Sequence, residues 1–161
     1  MKSFDEILKI IQSSCAAGEA VVDANMTPKG VQIHASDLRN VCLKLYQDPS
    51  VFFDMLSCIT AVDNGVAPGT IDVIYNLYSI PFNHQVALKV SVPRDSAELD
   101  SLQDIWKTAN WHEREAWDMF GVKFKGHPDL RRILLPADWE GHPLRKDYKQ
   151  QEYYRGVKVE F

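Results

Sequence analysis

Phe4, Ile7, Leu8 and Ile11 recur at the three- and four-residue spacing of a helix, and Gly18 would end that helix. Two short β-type runs follow, Ala20-Val21-Val22 and Val31-Gln32-Ile33, with Thr27-Pro28-Lys29-Gly30 as turn material between them. Ser36-Asp37 offers an N-cap for a second helix, whose stripe of Leu38, Val41, Cys42 and Leu45 runs up to Pro49. Three longer strand-like blocks come next, at residues 53–62, 70–80 and 85–92. Asp63-Asn64-Gly65 opens the first connection and Pro81-Phe82-Asn83-His84 makes the second. Within the last two blocks Ile71, Val73, Tyr75 and Leu77 alternate onto one face, as do Val86, Leu88, Val90 and Val92. After Pro93 a helical stretch from about residue 97 to residue 120 leads to Gly121.

Short connections make the three strands an antiparallel meander, one face for the core and one for helices. The order α, β-β, α, β-β-β, α predicts an α+β, two-layer domain with a mainly antiparallel sheet packed by helices. Residues 1–120 form that body, ending in a helix that carries Glu113-Arg114-Glu115. Residues 121–161 differ in kind. Pro128, Pro136 and Pro143 recur there alongside Gly126, Gly141 and Gly156, so no long helix or central strand can form. The same stretch holds Phe124, Leu130, Ile133, Leu134, Leu135, Trp139, Leu144, Tyr148, Tyr153, Tyr154 and Phe161. A disordered tail would be poor in such side chains. The expectation is an extended, aromatic docking tail that buries them partly on its own domain and partly on a partner.

Composition narrows the class. With 161 residues, 45% hydrophobic and 25% charged, the chain has the length and balance of one globular domain. The longest apolar run, near residues 55–62, is broken by Ser57, Cys58 and Thr60 and falls far short of a bilayer span. The start, Met1-Lys2-Ser3-Phe4-Asp5-Glu6, turns acidic before any apolar block, which argues against a signal peptide and for a soluble, cytoplasmic-type domain. Cys15, Cys42 and Cys58 are too widely spaced for a zinc ribbon or an iron–sulfur motif and read as reduced structural thiols. The net charge of -4 is unevenly spread: residues 121–161 hold nine Lys and Arg against six Asp and Glu. An acidic body with a basic tail suggests a tail that meets something else. The acidic balance of the body argues against nucleic acid as that partner.

The densest chemistry lies in Trp111-His112-Glu113-Arg114-Glu115-Ala116-Trp117-Asp118-Met119-Phe120. On a helix His112, Glu115 and Met119 share one face, and Arg114, Trp117 and Asp118 share another. An Arg114–Asp118 ion pair at i,i+4 fits a solvated face. The two tryptophans fit a packed one, where each charge needs a partner, with Arg131-Arg132 and Arg145-Lys146 as candidates. Gly126-His127-Pro128 and Gly141-His142-Pro143 echo one another, each followed by a basic pair. A residue before proline is extended, so each His is expected at a turn, pointing off the chain. His112, His127 and His142 fall at fifteen-residue intervals, which admits a metal reading with Glu115 or Asp118, but without the fixed helical or Cys-x-x-Cys spacing that makes such a reading strong. Nucleotide loops and nucleophile elbows are absent.

The string Glu113-Arg114-Glu115-x-x-Asp118-Met119-Phe120, followed by His127, Arg131, Ile133 and Leu134, resembles the signature of the C-type subunit of bacterial NADH-quinone oxidoreductase, the 30-kDa subunit of respiratory complex I. Pro136-x-Asp138-Trp139-Glu140-Gly141-His142-Pro143-Leu144-Arg145-Lys146-Asp147-Tyr148 is similar to that family's C-terminal motif. The likeness of the body is looser and rests on element order and total length.

The resemblance implies a subunit without cofactors or catalytic residues of its own in the hydrophilic arm of a proton-translocating membrane enzyme. FMN, iron–sulfur clusters and quinone would belong to other subunits. The partners it implies are the D-type (49-kDa) quinone-site subunit and the adjacent iron–sulfur subunits. Since the chain stops at Phe161, the D-type partner is expected as a separate polypeptide. Glu113, Arg114, Glu115, Asp118, Phe120, His127, Arg131, Arg132, Trp139, His142, Pro143, Arg145, Lys146, Asp147 and Tyr148 would form the signature and the partner interface. The implied place is the cytoplasmic side of the bacterial inner membrane, held there only through the complex. Membrane-bound hydrogenases, formate hydrogenlyases and reduced-coenzyme-F420 dehydrogenases contain similar subunits and remain alternatives, as does a freestanding metal-dependent enzyme. Arg145 is expected to dock on the D-type subunit, with an internal pairing to Glu113 or Asp118 as the competing arrangement.

Overall fold

Ser3 begins the first helix with a capping box: its hydroxyl accepts the Glu6 N–H, and the Glu6 carboxylate accepts the Ser3 N–H. In the computed structural model, which describes residues 2–159, that helix (α1, Phe4–Ser14) buries Ile7 and Ile11 and ends at Cys15. Met1 and Phe161, both used in the sequence reading, lie outside the described residues. Strands β1 (Val21–Asp23) and β2 (Gly30–Ile33) form a hairpin, and α2 (Leu38–Gln47) buries the stripe Leu38, Val41, Cys42 and Leu45. The Asp37 side chain does not cap α2. It turns back and accepts the N–H groups of Ala16 and Ala17 at 3.0–3.1 Å, tying the end of α1 to the start of α2.

The meander is present as β3 (Met55–Asp63), β4 (Thr70–Ser79) and β5 (His84–Pro93). Its inward face matches the alternation: Ile71, Val73, Tyr75 and Leu77 pair across from Val92, Val90, Leu88 and Val86, and all eight are buried. The sheet order is β1-β2-β5-β4-β3, antiparallel except where β2 joins β5 in parallel. The helices contribute Ile7, Ile11, Val41, Leu45, Ala109 and Ala116 to the same hydrophobic core as this inward face, the α+β two-layer arrangement.

Two elements differ from the sequence reading. The helix expected from about residue 97 begins only at Ala109 (α3, Ala109–Phe120). Residues 98–100 instead form β6 (Glu98–Asp100), which pairs in parallel with β7 (Lys123–Lys125). Ala97 and Leu99 are both buried, a period of two, so a strand signal lies inside a stretch whose composition suits a helix. Ser101 and Asp104 break the segment further, and residues 101–108 form turns moored to the free edge of β3: Trp106 Nε1 donates to the Phe53 carbonyl at 3.0 Å and Thr108 Oγ1 to Leu56 at 3.1 Å. The expected boundary at residue 120 also falls inside a packed region, because Val122 and Phe124 are core residues. A small hairpin of β8 (Tyr153–Tyr154) and β9 (Val157–Lys158) lies at the C-terminal end of the described chain. None of the described helices is long and apolar enough to cross a membrane.

Candidate functional site

Residues 126–148 run as a strap along α3, and the motif side chains hold it there. Near the start of the helix, His127 Nε2 lies 3.1 Å from the Asn110 carbonyl, while its Nδ1 accepts the Asp129 N–H at 3.0 Å. Those two partners require the tautomer with the proton on Nε2. One turn on, Arg114 donates to the carbonyls of Arg131 and Arg132, both at 3.1 Å. Next comes Asp118, fully buried. Its Oδ2 accepts three consecutive backbone N–H groups, those of Ile133, Leu134 and Leu135, at 2.8–3.0 Å, and its Oδ1 takes Arg132 Nη1 at 2.6 Å. Arg132 reaches on to the carbonyls of Trp139 and Gly141 and lies over the Trp117 ring. One carboxylate thus sets the path of four strap residues. Burial raises its pKa, but the N–H of Leu135, the Arg132 guanidinium and the other two N–H groups outweigh that, and the net shift is downward.

At the end of the helix, His142 Nδ1 donates to the Asp118 carbonyl at 3.0 Å. Burial holds that ring below its usual pKa against this bond, and Arg145 and Arg132 push the same way as burial. Gly121, the left-handed residue that stops α3 at φ 77°, leaves room for the strap. A Cβ there would lie 2.7 Å from the His142 ring and 2.9 Å from Arg145 Nη2. Arg145 donates to the Phe120 carbonyl at 2.6 Å and to the Arg94 carbonyl at 3.3 Å. Trp139 Nε1 donates to Tyr148 Oη at 3.1 Å, and the Tyr154 ring packs on Trp139.

A residue outside the motifs completes the arrangement. Arg94, only 6% exposed, grips Asp63 at the end of β3 through Nε at 2.9 Å and Nη2 at 3.1 Å, and grips Asp147 of the strap with both Nη atoms. Asp63 also accepts the N–H of Gly65 and of Lys146. Arg94 above all, with those N–H groups, holds the Asp63 carboxyl well below the usual carboxylate range. Asp63 and Arg94 are separated by the whole β4–β5 hairpin, so no sequence pattern joins them. An isolated Arg after Pro93 and an Asp in a turn are the only signals.

Several expectations are corrected here. Of the two arrangements open for the α3 charges, the solvated Arg114–Asp118 pair is not formed and the packed one is: Asp118 pairs with Arg132, and Arg114 is taken by strap carbonyls. Arg145 pairs with neither Glu113 nor Asp118; its guanidinium donates to the Phe120 and Arg94 carbonyls. His127 and His142 point back onto α3 rather than off the chain, because the turn before each proline doubles over the helix. Among the described residues no group of three or more His, Cys, Asp and Glu side chains is placed to hold a metal ion. Glu113 is fully buried and has no ion-pair partner among the described residues: Ser101 Oγ at 2.6 Å and the Leu102 N–H at 2.7 Å are its hydrogen-bond partners. Glu115, Arg131 and Lys146 are exposed, Phe120 and Pro143 are half-buried, and the Arg131 guanidinium pairs with Asp129 of its own turn. Around them Trp111, Leu134 and Leu144 stand 55–69% exposed. The site is therefore a braced surface of α3 and strap, with its polar groups mostly turned inward and large apolar side chains turned out.

The family model described as "Respiratory-chain NADH dehydrogenase, 30 Kd subunit" matches residues 31–154. The C-type subunit of an NADH-quinone oxidoreductase from Chlorobium phaeobacteroides is 45% identical over 148 residues, covering 89% of each chain. Its counterpart from Chloroherpeton thalassium is 47% identical over 71% of this chain, which spans 48% of that protein. Among solved structures, a trypsin-resistant fragment of Nqo5 superposes with a TM-score of 0.64 at 24% identity, covering 78% of this chain and 98% of the fragment, a likeness of fold. A component of the archaeal membrane-bound sulfane sulfur reductase superposes at 0.72 with 26% identity, covering 90% of this chain and 85% of that one. A match that takes in β2 through β8, and with them α3 and every motif of the strap, places the chain in the 30-kDa subunit family of respiratory-chain NADH dehydrogenase, the family of C-type subunits of NADH-quinone oxidoreductases.

Proposed function

We propose that this chain is a cofactor-free peripheral subunit of a proton-translocating NADH-quinone oxidoreductase, a scaffold that binds the D-type quinone-site subunit and the adjacent iron–sulfur subunits. The observation that carries this reading is the use to which the motif residues are put. Asp118, Arg132, His142, Arg145 and Asp147 spend their hydrogen bonds on backbone groups, on one another and on Arg94, and so fix the strap to α3 and to the sheet. Residues arranged to fix a surface serve recognition. The reaction, electron transfer from NADH to a quinone coupled to ion movement, would take place on FMN, iron–sulfur clusters and quinone held by partner chains. Location on the cytoplasmic side of the inner membrane, through the complex alone, follows from the same reading.

The face offered to partners is the outward side of α3 and the strap, with Trp111, Leu134 and Leu144 as apolar contacts and Glu115, Arg131 and Lys146 as charged ones. Leu134→Asp and Leu144→Asp test it in cells lacking the native chain. Surface changes of this kind leave free-domain stability within about 0.5 kcal/mol. The expected result is a normally folded free subunit and a complex that fails to retain it, with NADH-to-quinone activity lost from membranes. Full assembly by both variants would remove this face from the interface. A second reading, a subunit of a related membrane complex, is favoured by the likeness to the sulfane sulfur reductase component. It predicts the same surface with different co-purifying chains.

A further inference from the structure

α3 is fastened on its outer side by the strap and on its inner side by the core packing of Ala109 and Ala116 and the hydrogen bonds of Glu113. Its carboxyl is fully buried and bridges to the 101–102 turn, with Oε1 accepting the Leu102 N–H and Oε2 lying 2.6 Å from Ser101 Oγ. The titratable groups around it are unfavourable to a negative charge. Tyr75 reaches it from β4, with a buried hydroxyl that has no partner among the described residues, and Cys42 on α2, a fully buried thiol whose pKa burial raises, lies towards Tyr75. Asp104 lies on the turn side of Glu113, and Asp100 acts on Tyr75. The one cation nearby among the described residues, Arg39 of α2, is already taken by the Asp104 carboxylate and the Ser101 carbonyl. A buried carboxylate with no counter-charge gives up its charge by binding a proton.

We propose that Glu113 is a buried proton-binding site, carried as a neutral acid in the folded domain, and that loss of its proton weakens the attachment of α3 to the 101–102 turn. The geometry accepts both forms. Neutral Glu113 donates from Oε2 to Ser101 Oγ; ionised Glu113 accepts from the Ser101 hydroxyl; the Leu102 N–H donates to Oε1 in either case. What changes is an unpaired charge inside the core. Burial, the dominant cause, pushes the group up to about 7 against the opposing bonds from Leu102 and Ser101, and Asp104 adds to the rise. A raised folded pKa in an acid means that the folded state holds the extra proton. Stability from this group is full below the unfolded value near 4.5 and is lost as pH rises through about 7.

Glu113→Gln is a neutral shape-mimic that keeps both hydrogen bonds. Denaturant unfolding of the full chain between pH 5 and 8 should show the wild type weakening relative to Glu113→Gln, with the ratio of their unfolding constants changing on the order of a hundredfold across that window. Other titrating groups cancel in the comparison. Difference infrared spectra of the folded wild type give a readout independent of the variant's stability. They should contain a protonated-carboxyl carbonyl band at pH 5 that fades towards pH 8 and is missing from Glu113→Gln. Parallel pH profiles of the two proteins, or a wild type without that band at pH 5, would overturn the proposal.

Discussion

Asp118 and Gly121 are three residues apart and do opposite things for the same contact. Asp118 supplies an acceptor that three successive strap N–H groups and Arg132 need, and Gly121 supplies the absence of a side chain that would push His142 and Arg145 away. Removing the first leaves three strap N–H groups without their acceptor and the Arg132 guanidinium without its counter-charge, so Asp118→Ala should cost about 3–5 kcal/mol. Gly121→Ala combines a left-handed backbone with a 2.7 Å collision and should cost about 2 kcal/mol. Thermal melts of the free chain measure both, and a loss below about 0.5 kcal/mol in either case, the range of an inert surface change, would mean that the strap does not depend on that residue. Asp63 gives a pH signature of its own. Arg94 holds its folded pKa below the unfolded value, so the stability it contributes is present above about pH 4 and is lost as pH falls through the folded value. Asp63→Asn should therefore flatten the acid end of the stability profile; an unchanged acid limb would mean that the Asp63–Arg94 pair does not form.

Among elements, the strap and the terminal hairpin are held very differently. β8 and β9 reach the rest of the chain mainly through Tyr154 and Arg155 to Asp138, all near the surface, and through ring contact with Trp139. The 142–148 segment carries His142, Arg145 and Asp147, whose partners lie on α3, after β5 and, through Arg94, at the end of β3. Ending the chain after residue 149 should keep a cooperative melt within a few degrees of the full chain. Ending it after residue 141 should lower the midpoint by about 6–12 °C, as the loss of about 3 kcal/mol does in a domain of this size. Equal melts for the two truncations would contradict the bracing role of the strap. This difference is not legible in the sequence. Alternation and helical spacing locate α1, α2, β3, β4 and β5 because each buries one face of a regular element. The strap has no period, and its attachments are side chain to backbone, for which composition carries no signal. The β6 strand is hidden for a related reason: three residues are too few for alternation to stand out within an apolar stretch. Arg145 reads as a partner contact because an Arg after proline in a basic tail looks available, whereas a guanidinium fork matches carbonyls at the end of a helix equally well.

On the scale of the whole molecule, the fold presents a helix-covered core on one side and a stiffened, apolar-studded ridge on another, and the family match covers that ridge completely. The central claim is that the ridge exists to be covered by other subunits of an NADH-quinone oxidoreductase. Affinity-tagging the chain in its own cells, solubilising the membranes gently and identifying the co-purifying polypeptides tests this most directly, with NADH-to-quinone activity measured on the same material. The account predicts a stoichiometric set that includes a D-type quinone-site subunit and iron–sulfur subunits, with activity following the tag. A chain recovered alone, or with the subunits of a hydrogenase and no NADH oxidation, would contradict it.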